Sequence, residues 1–400
     1  MDFRCWTYKD YEAFLRKGLA DVKVRDDMHV DVVKNGTWVI NQGTGAFGLF
    51  DMNGQLVSSA LQYRGNKCNF IPAKIEDAEY VDCDVMFLGN AYGHFGHFLL
   101  EHLNRAWAIK KYAKPGMKFV FIDNFGAGAK GFVYDFARFL GIKDDELLIL
   151  NHNAMFRNVY VPSQSLNLSG KWQAAEFMQA FDLMRENVLK NKKSKYDKVY
   201  VSRCKLPDDM RTYGEEKIQK IFEKNGFHVI YPETLPLDKQ IEIIGGASVL
   251  AGCAGSALHM AVFMKSGGRV IQINRSLSVK DSGGFQYRLC QLRGLDFDIV
   301  SGSVEKKASD HGGIHAPQII GMTEFMKNYF DDNGFEYSSQ DLEEDKTAWE
   351  QYEVQMRIFK KEYGSPFLQK IKKFFIRIVS AVVPGRVNRK RLRQWLKKHL

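Results

Sequence analysis

Short apolar runs separated by longer amphipathic stretches fill the middle of this chain. From about residue 85 the runs read VMFLG (85–89), KFVFID (118–123), LLIL (147–150) and NVYVP (158–162). They are rich in Val, Ile, Leu and Phe, as strands covered on both faces are. Between them, 94–112, 130–141 and 171–190 carry apolar residues at helical spacing. NKKSK (191–195) interrupts the pattern, and a second series follows. Its strands are KVYVSR (198–203), HVIYPE (228–233), SVLAGC (248–253), RVIQIN (269–274) and FDIVSG (297–302). Its helices are expected at 213–225, 237–246, 256–264 and 284–293, the first opened by a capping box at Thr212-x-x-Glu215. Strands alternating with helices predict parallel sheets with covered faces. Two such series predict an α/β protein of two Rossmann-like lobes facing a cleft.

The flanks differ. Residues 1–80 are mixed and strand-rich and are assigned to the first lobe, with Asn53-Gly54 marking a type I′ hairpin turn. The first lobe then covers 81–192 and the second 193–330, with 303–321 read as a loop. Residues 331–365 hold a polar helix over 340–363 that returns towards the body, and 366–400 form a tail.

Composition fits this picture. The chain has 400 residues, 45% hydrophobic and 26% charged, enough for more than one core. The six cysteines are scattered with no CxxC pair, which favours a reducing compartment. The N-terminus has no signal-peptide apolar region, and no run of about 18 apolar residues is present to span a bilayer.

Charge changes the reading of the tail. The formal net charge is +10, yet eleven Lys and Arg follow the last acidic residue, Glu362, so the rest of the chain is close to neutral. Leu368, Ile371, Phe374, Phe375, Ile378, Val379 and Val382 lie at helical spacing beside those cations. An apolar face flanked by Lys and Arg is suited to an anionic membrane surface. A nucleic-acid arm would not need the apolar stripe, and a docked helix would not need so many cations. The expected location is therefore cytoplasmic, peripheral on the inner face of the membrane, with no nucleic acid as partner.

Candidate chemistry gathers at strand ends, where ligands of open parallel sheets bind. In the second series Arg203 closes the first strand and Glu233 the second. AGCAGSALHMAVF leads through Gly252 and Gly255 into a helix. A guanidinium can grip phosphate, small residues admit an anion to helix N–H groups, and a carboxylate can accept from ribose hydroxyls. Each feature also has an ordinary reading, as a surface ion pair or a tight turn. Neither GxGxxG nor GxxxxGK[ST] occurs, which disfavours hydride transfer and P-loop chemistry. Two DxD sequences, Asp82-Cys83-Asp84 and Asp296-Phe297-Asp298, read as strand-edge aspartates.

In the first series, GNAYGHFGHFLLEHLNRAW (89–107) carries His94, His97, Glu101, His102 and Arg105. On a helical wheel His94, His97, Glu101 and Arg105 share one face. That face is either a solvated stripe with a Glu101–Arg105 pair or a metal site of His94, His97 and Glu101. The metal reading lacks an HExxH arrangement.

Residues 85–275 resemble family 61 glycosyltransferases of the capsular polysaccharide type. The matching residues are Ser202-Arg203, Arg211, Gly214-Glu215, Pro232-Glu233, Gln240, Gly255-Ser256-Ala257-Leu258 and Phe263, with Phe95, His97, Phe98, Glu101 and Arg105 upstream. Two positions depart from the pattern: Gly214 stands where the family has Asn, and Ala254 where many relatives have His. The resemblance implies a GT-B-like fold and inverting transfer from a nucleotide-sugar to a glycan or lipid-linked glycan, with no cofactor and no obligatory metal. It implies a diphosphate site at Arg203, Arg211, Gly255 and Ser256, and nucleoside contacts from Glu233 and Glu215. His94 and Arg105 fall on the acceptor side. His97 serves as base with Glu101 orienting it, or Glu101 is itself the base. The alternatives are a non-catalytic scaffold of a polysaccharide assembly complex, or a metal-dependent hydrolase using His94, His97 and Glu101.

Overall fold

The computed structural model describes residues 2–20, 22–42, 45–64, 67–69, 78–168, 172–190, 192, 194–276, 284–304 and 316–363. The expected membrane tail, 366–400, lies outside the described residues. The chain forms two compact units. The first comprises 1–201, 226–272 and 282–299; the second comprises 202–225, 273–281 and 300–400.

The first unit holds two six-stranded sheets. One runs, edge to edge, Ala46–Phe50, Val30–Asn41, Ala154–Pro162, Glu79–Asn90, Lys118–Ile122 and Leu147–Leu150. Its last four strands are parallel, and the hairpin Val30–Asn41/Ala46–Phe50 joins antiparallel. The other runs Phe3–Trp6, Asp296–Ser301, Arg269–Asn274, Val249–Cys253, Lys198–Val201 and His228–Ile230. Lys198–Val201 is parallel to both of its neighbours. The protein is thus a mixed α/β structure with parallel sheets, as the alternating pattern predicts. The first strand, Phe3–Trp6, joins the second of these sheets rather than the one built from Val30–Asn41 and Ala46–Phe50.

One continuous apolar core runs through this unit. It takes in Met86, Leu88 and Phe121 from the first sheet and Val199, Leu250 and Ile299 from the second. Helices Gly131–Phe139, Phe177–Leu189 and Leu237–Gly246 contribute Phe136, Phe181 and Ile241. The Phe136 and Phe263 rings are stacked, and Phe181 meets Phe263 edge-on. Each such buried ring stabilises by roughly 1.5–3 kcal/mol, so the helices are fixed from several sides.

Both DxD sequences are bound by arginines. Asp82 and Asp84 lie within Glu79–Asn90, where Arg157 donates to both and Asn158 to Asp84. Asp298 is fully buried and accepts from Arg4 (2.6 and 2.9 Å) and from Arg269 (2.7 Å), while Asp296 accepts from Arg269 (3.0 Å). These aspartates hold strands together.

Two local expectations are corrected. The Asn53-Gly54 turn is not type I′, which needs φ > 0 at both residues. Only Gly54 has positive φ (73°), and Asp51 N–H bonds to Gln55 O. This is a three-residue loop closed by a glycine, with the Asp51 carboxylate accepting from the N–H groups of Asn53 and Gln55. Thr212, in turn, caps nothing: it lies in a short strand, Thr212–Tyr213, parallel to Gln318–Ile319.

Those two strands belong to the second unit. Helix Glu215–Lys224 starts from Gly214, whose φ is 77°. A Cβ on Gly214 would come under 3.0 Å from the backbone oxygen of Ile320. Asparagine tolerates this backbone conformation, but its Cβ would still collide, so glycine is required at this departure from the family pattern. Residues 303–321 are not all loop, since Gln318–Ile319 is paired; 305–315 lie outside the described residues. The polar helix is Lys346–Tyr363, preceded by the short helix Ser339–Leu342 with a capping box at Ser338 and Asp341. Tyr352 and Met356 pack it on Tyr213 and Ile319.

Candidate active site

The stretch expected as one helix over 94–112 is broken into turns. Phe95–His97 is α-helical, Phe98–His102 is a π-turn, Ala106–Ala108 is a 3₁₀ turn and Ile109–Tyr112 is α-helical again. The break has three causes. Gln62, fully buried, donates from Nε2 to Glu101 O (2.7 Å). Ser165 N–H bonds to Asn104 O (2.9 Å). The His102 carbonyl lies against Gly89, where a Cβ would come under 3.0 Å from its oxygen. Carbonyls that would accept within a regular helix are thus claimed by other segments, and Leu103 N–H reaches Phe98 O instead. Wider winding of this kind is common at functional sites.

The π-turn divides the expected polar face. His97 and Glu101 stay together: His97 Nδ1 donates to Glu101 Oε2 at 2.7 Å. Glu101 is nearly buried, with 11% of its side chain exposed, whereas His97 is 37% exposed. His94 is exposed and stands at the start of the turn, its Nδ1 accepting from His97 N–H (3.4 Å) with the two rings 4.7 Å apart. Tyr92 meets His97 edge-on.

Arg105 is not on this face. The π-turn carries it inward, where it is fully buried over the Phe87 ring and donates to Pro162 O and Leu61 O. Burial lowers its guanidinium to about 9, so it remains charged at neutral pH. Its place on the acceptor side, and its pairing with Glu101, are corrected: it ties Glu79–Asn90 to neighbouring backbone.

Ser256 lies against Gly96. A Cβ on Gly96 would be 2.5 Å from Ser256 Oγ and 3.5 Å from His259 Cδ2. Gly96 therefore lets the His97 turn approach Ser256–Phe263, an eight-residue 3₁₀ helix following strand Val249–Cys253 through Gly255. Gly252 serves packing, since a Cβ there would come within 2.7 Å of Val201 O. Glu233 is exposed in the turn Pro232–Thr234, which Gln240 braces by donating to Pro232 O and Leu235 O.

The remaining predicted site residues belong to the second unit. Arg203 donates to Met210 O, and Arg211 pairs with Glu216 and Asp208. Taking a phosphate would mean exchanging these partners. Glu215 is fully buried and accepts from Arg203 N–H (3.2 Å). A carboxylate so placed shapes the Arg203 loop and is not presented to a ribose. Among the described residues, no three His, Cys, Asp or Glu side chains are arranged to hold a metal ion.

Residues 95–271 match the family model for Glycosyltransferase 61. This region of the chain is similar to glycosyltransferase family 61. No curated protein is found to match it. The matched region begins at Phe95, the first residue of the His97 turn, and ends in strand Arg269–Asn274. It therefore spans both arms of the site just described. In this site, sequence reasoning overlooked Gln62, Gly96, His259 and Gln286. His259 had a visible signal: a single histidine within SALHMAVF, three residues after Ser256.

Proposed function

We propose that this chain is a glycosyltransferase that inverts configuration, takes its sugar from a nucleotide-sugar, uses no obligatory metal and builds a cell-surface polysaccharide. The observation that carries the reading is the His97–Glu101 hydrogen bond beside Ser256. With Nδ1–H given to the carboxylate, Nε2 is the proton-accepting atom of His97. An acceptor hydroxyl loses its proton to Nε2 as its oxygen attacks the anomeric carbon. The bond from that carbon to the diphosphate breaks on the opposite face, and the nucleoside diphosphate leaves with the electron pair. Glu101 orients the ring and stabilises the imidazolium that forms. The amides at Gly255 and Ser256 face the developing negative charge. Two sheets with parallel strands are also what a GT-B transferase would supply.

A thermal-shift panel of UDP, GDP, CMP and their common sugar conjugates, with and without EDTA, tests this reading. Selective stabilisation that survives EDTA is expected. A melting temperature that responds to EDTA and to no nucleotide would instead favour a metal-dependent hydrolase.

The reading extends to the basic tail, which we assign to an anionic membrane surface on the cytoplasmic side. Among the described residues no helix is long and apolar enough to cross a membrane. Removing 366–400 is expected to abolish sedimentation with vesicles containing phosphatidylserine. Unchanged sedimentation would overturn the assignment.

A further inference from the structure

His259 lies in the candidate site and has no part in the proton transfer. It stands three residues after Ser256 on the 3₁₀ helix, a spacing that places both side chains on one side. Both face Gly96. The ring is only partly exposed, and its Nδ1 lies 2.8 Å from Gln286 Oε1 on helix Gly284–Arg293. On the far side Gln286 Nε2 donates to Cys290 Sγ (3.7 Å). Gln286 therefore presents an acceptor, and the proton of His259 sits on Nδ1. Nε2, next to the Cδ2 that faces Gly96, keeps its lone pair, and among the described residues it has no partner.

Its electrostatics fit a permanent acceptor. Burial holds His259 at about 4, and the neighbouring His97 and His94 push it the same way, against the Gln286 hydrogen bond. The ionisable groups facing it are His94 and His97, with Glu101 behind His97 and Cys290 behind Gln286. Burial raises the Cys290 thiol to about 12, so it stays neutral. A neutral imidazole with a fixed lone pair repels phosphate oxygens and accepts from a hydroxyl. It is too weak a base at neutral pH to remove that hydroxyl's proton.

We propose that His259 Nε2, together with Ser256 Oγ, forms a subsite that binds a sugar hydroxyl beside His97. This rests on the transferase reading and names which chemistry each side of the site recognises. His97 takes the proton, and His259 holds a hydroxyl that keeps its own.

The test has two parts, both on the full chain. In ¹⁵N-histidine spectra, His259 should show a protonated Nδ1 and an unprotonated Nε2, unchanged from pH 8 down to pH 5. A ring that titrates in that range, or carries its proton on Nε2, overturns the proposal. The second part measures binding of the panel's stabilising nucleotide-sugar, its singly deoxygenated analogues and the free nucleoside diphosphate. Losing one neutral hydrogen bond should weaken binding about tenfold. In wild type one deoxy-sugar should carry that penalty, and His259→Leu should erase it while leaving the free diphosphate unaffected. If the hydroxyl belongs to the acceptor, the same pattern appears in acceptor KM and not in donor affinity. His259→Gln returns an acceptor near the Nε2 position and should recover most of the binding. Wild-type discrimination in His259→Leu overturns the subsite alone. A wild type that binds no sugar overturns the transferase reading and the subsite with it, whatever the spectra show.

Discussion

His97→Asn lowers the single-turnover rate of sugar transfer by about 10²–10⁴-fold, the usual contribution of a positioned general base, while nucleotide-sugar affinity stays within a few-fold of wild type. The split follows from the geometry. His97 is held by Glu101 on one side and is 37% exposed on the other, so it reaches a reacting hydroxyl without being needed to fold the turn. Glu101→Gln keeps an acceptor for Nδ1 but loses the charge opposite the imidazolium. A charge-assisted hydrogen bond contributes about 1.5–3 kcal/mol, so a smaller loss of about 10–10²-fold is expected. Rapid-quench transfer assays beside equilibrium binding separate the two quantities. A His97→Asn enzyme that turns over at the wild-type rate would remove His97 from the chemistry. A Glu101→Gln enzyme more damaged than His97→Asn would make Glu101 the base.

Gly89→Ala is expected to have the largest effect on stability. Gly89 has φ of 144° near the end of strand Glu79–Asn90, where the pairing register with Lys118–Ile122 shifts. The added methyl meets backbone, the His102 carbonyl, which cannot rotate away as a side chain can. Strain and displacement together should cost about 3 kcal/mol, lowering the melting temperature by roughly 3–4 °C in a protein of this size. Gly116→Ala is the control: φ is 79° there, but no atom lies within 4 Å of the new Cβ, so only the backbone term of roughly 1–2 kcal/mol remains. Differential scanning calorimetry distinguishes them, and equal shifts would show that the His102 contact is unimportant. Transfer should also fall in Gly89→Ala below its melting temperature, because His102 closes the π-turn that holds Glu101.

The same contacts explain what the sequence could and could not reveal. Strands such as KFVFI and LLIL were legible because composition and length are local signals. The closeness of His97 and Glu101 follows from their i,i+4 spacing, which the π-turn Phe98–His102 leaves within hydrogen-bond reach. Arg105 could not be placed that way. Its position depends on Gln62, Gly89 and Ser165, which open the helix from segments distant in sequence. Thr212 has the right spacing for a capping box but is claimed by pairing with Gln318. Glu215 looks like any exposed helix-start carboxylate until the Arg203 backbone is found on it. His259 acquires its meaning from Gln286, 27 residues away. In each case the deciding partner belongs to another element, and hydrophobic periodicity carries no information about it.

The arginine–aspartate cluster at Asp298 also sets an order of events during synthesis. Arg4, within strand Phe3–Trp6, bonds to a residue 294 positions later, and the strand has its place at the edge of the sheet beside Asp296–Ser301. At about 5–20 residues per second, the first strand waits roughly 15–60 s for its partner to be made. Through that interval its backbone N–H and C=O groups lack their native pairing, while the Val30–Pro162 sheet can already form. The last seam of the first unit therefore closes late, from its N-terminal end. A nascent chain stalled before residue 296 should keep Phe3–Trp6 open to protease long after the first sheet has become resistant.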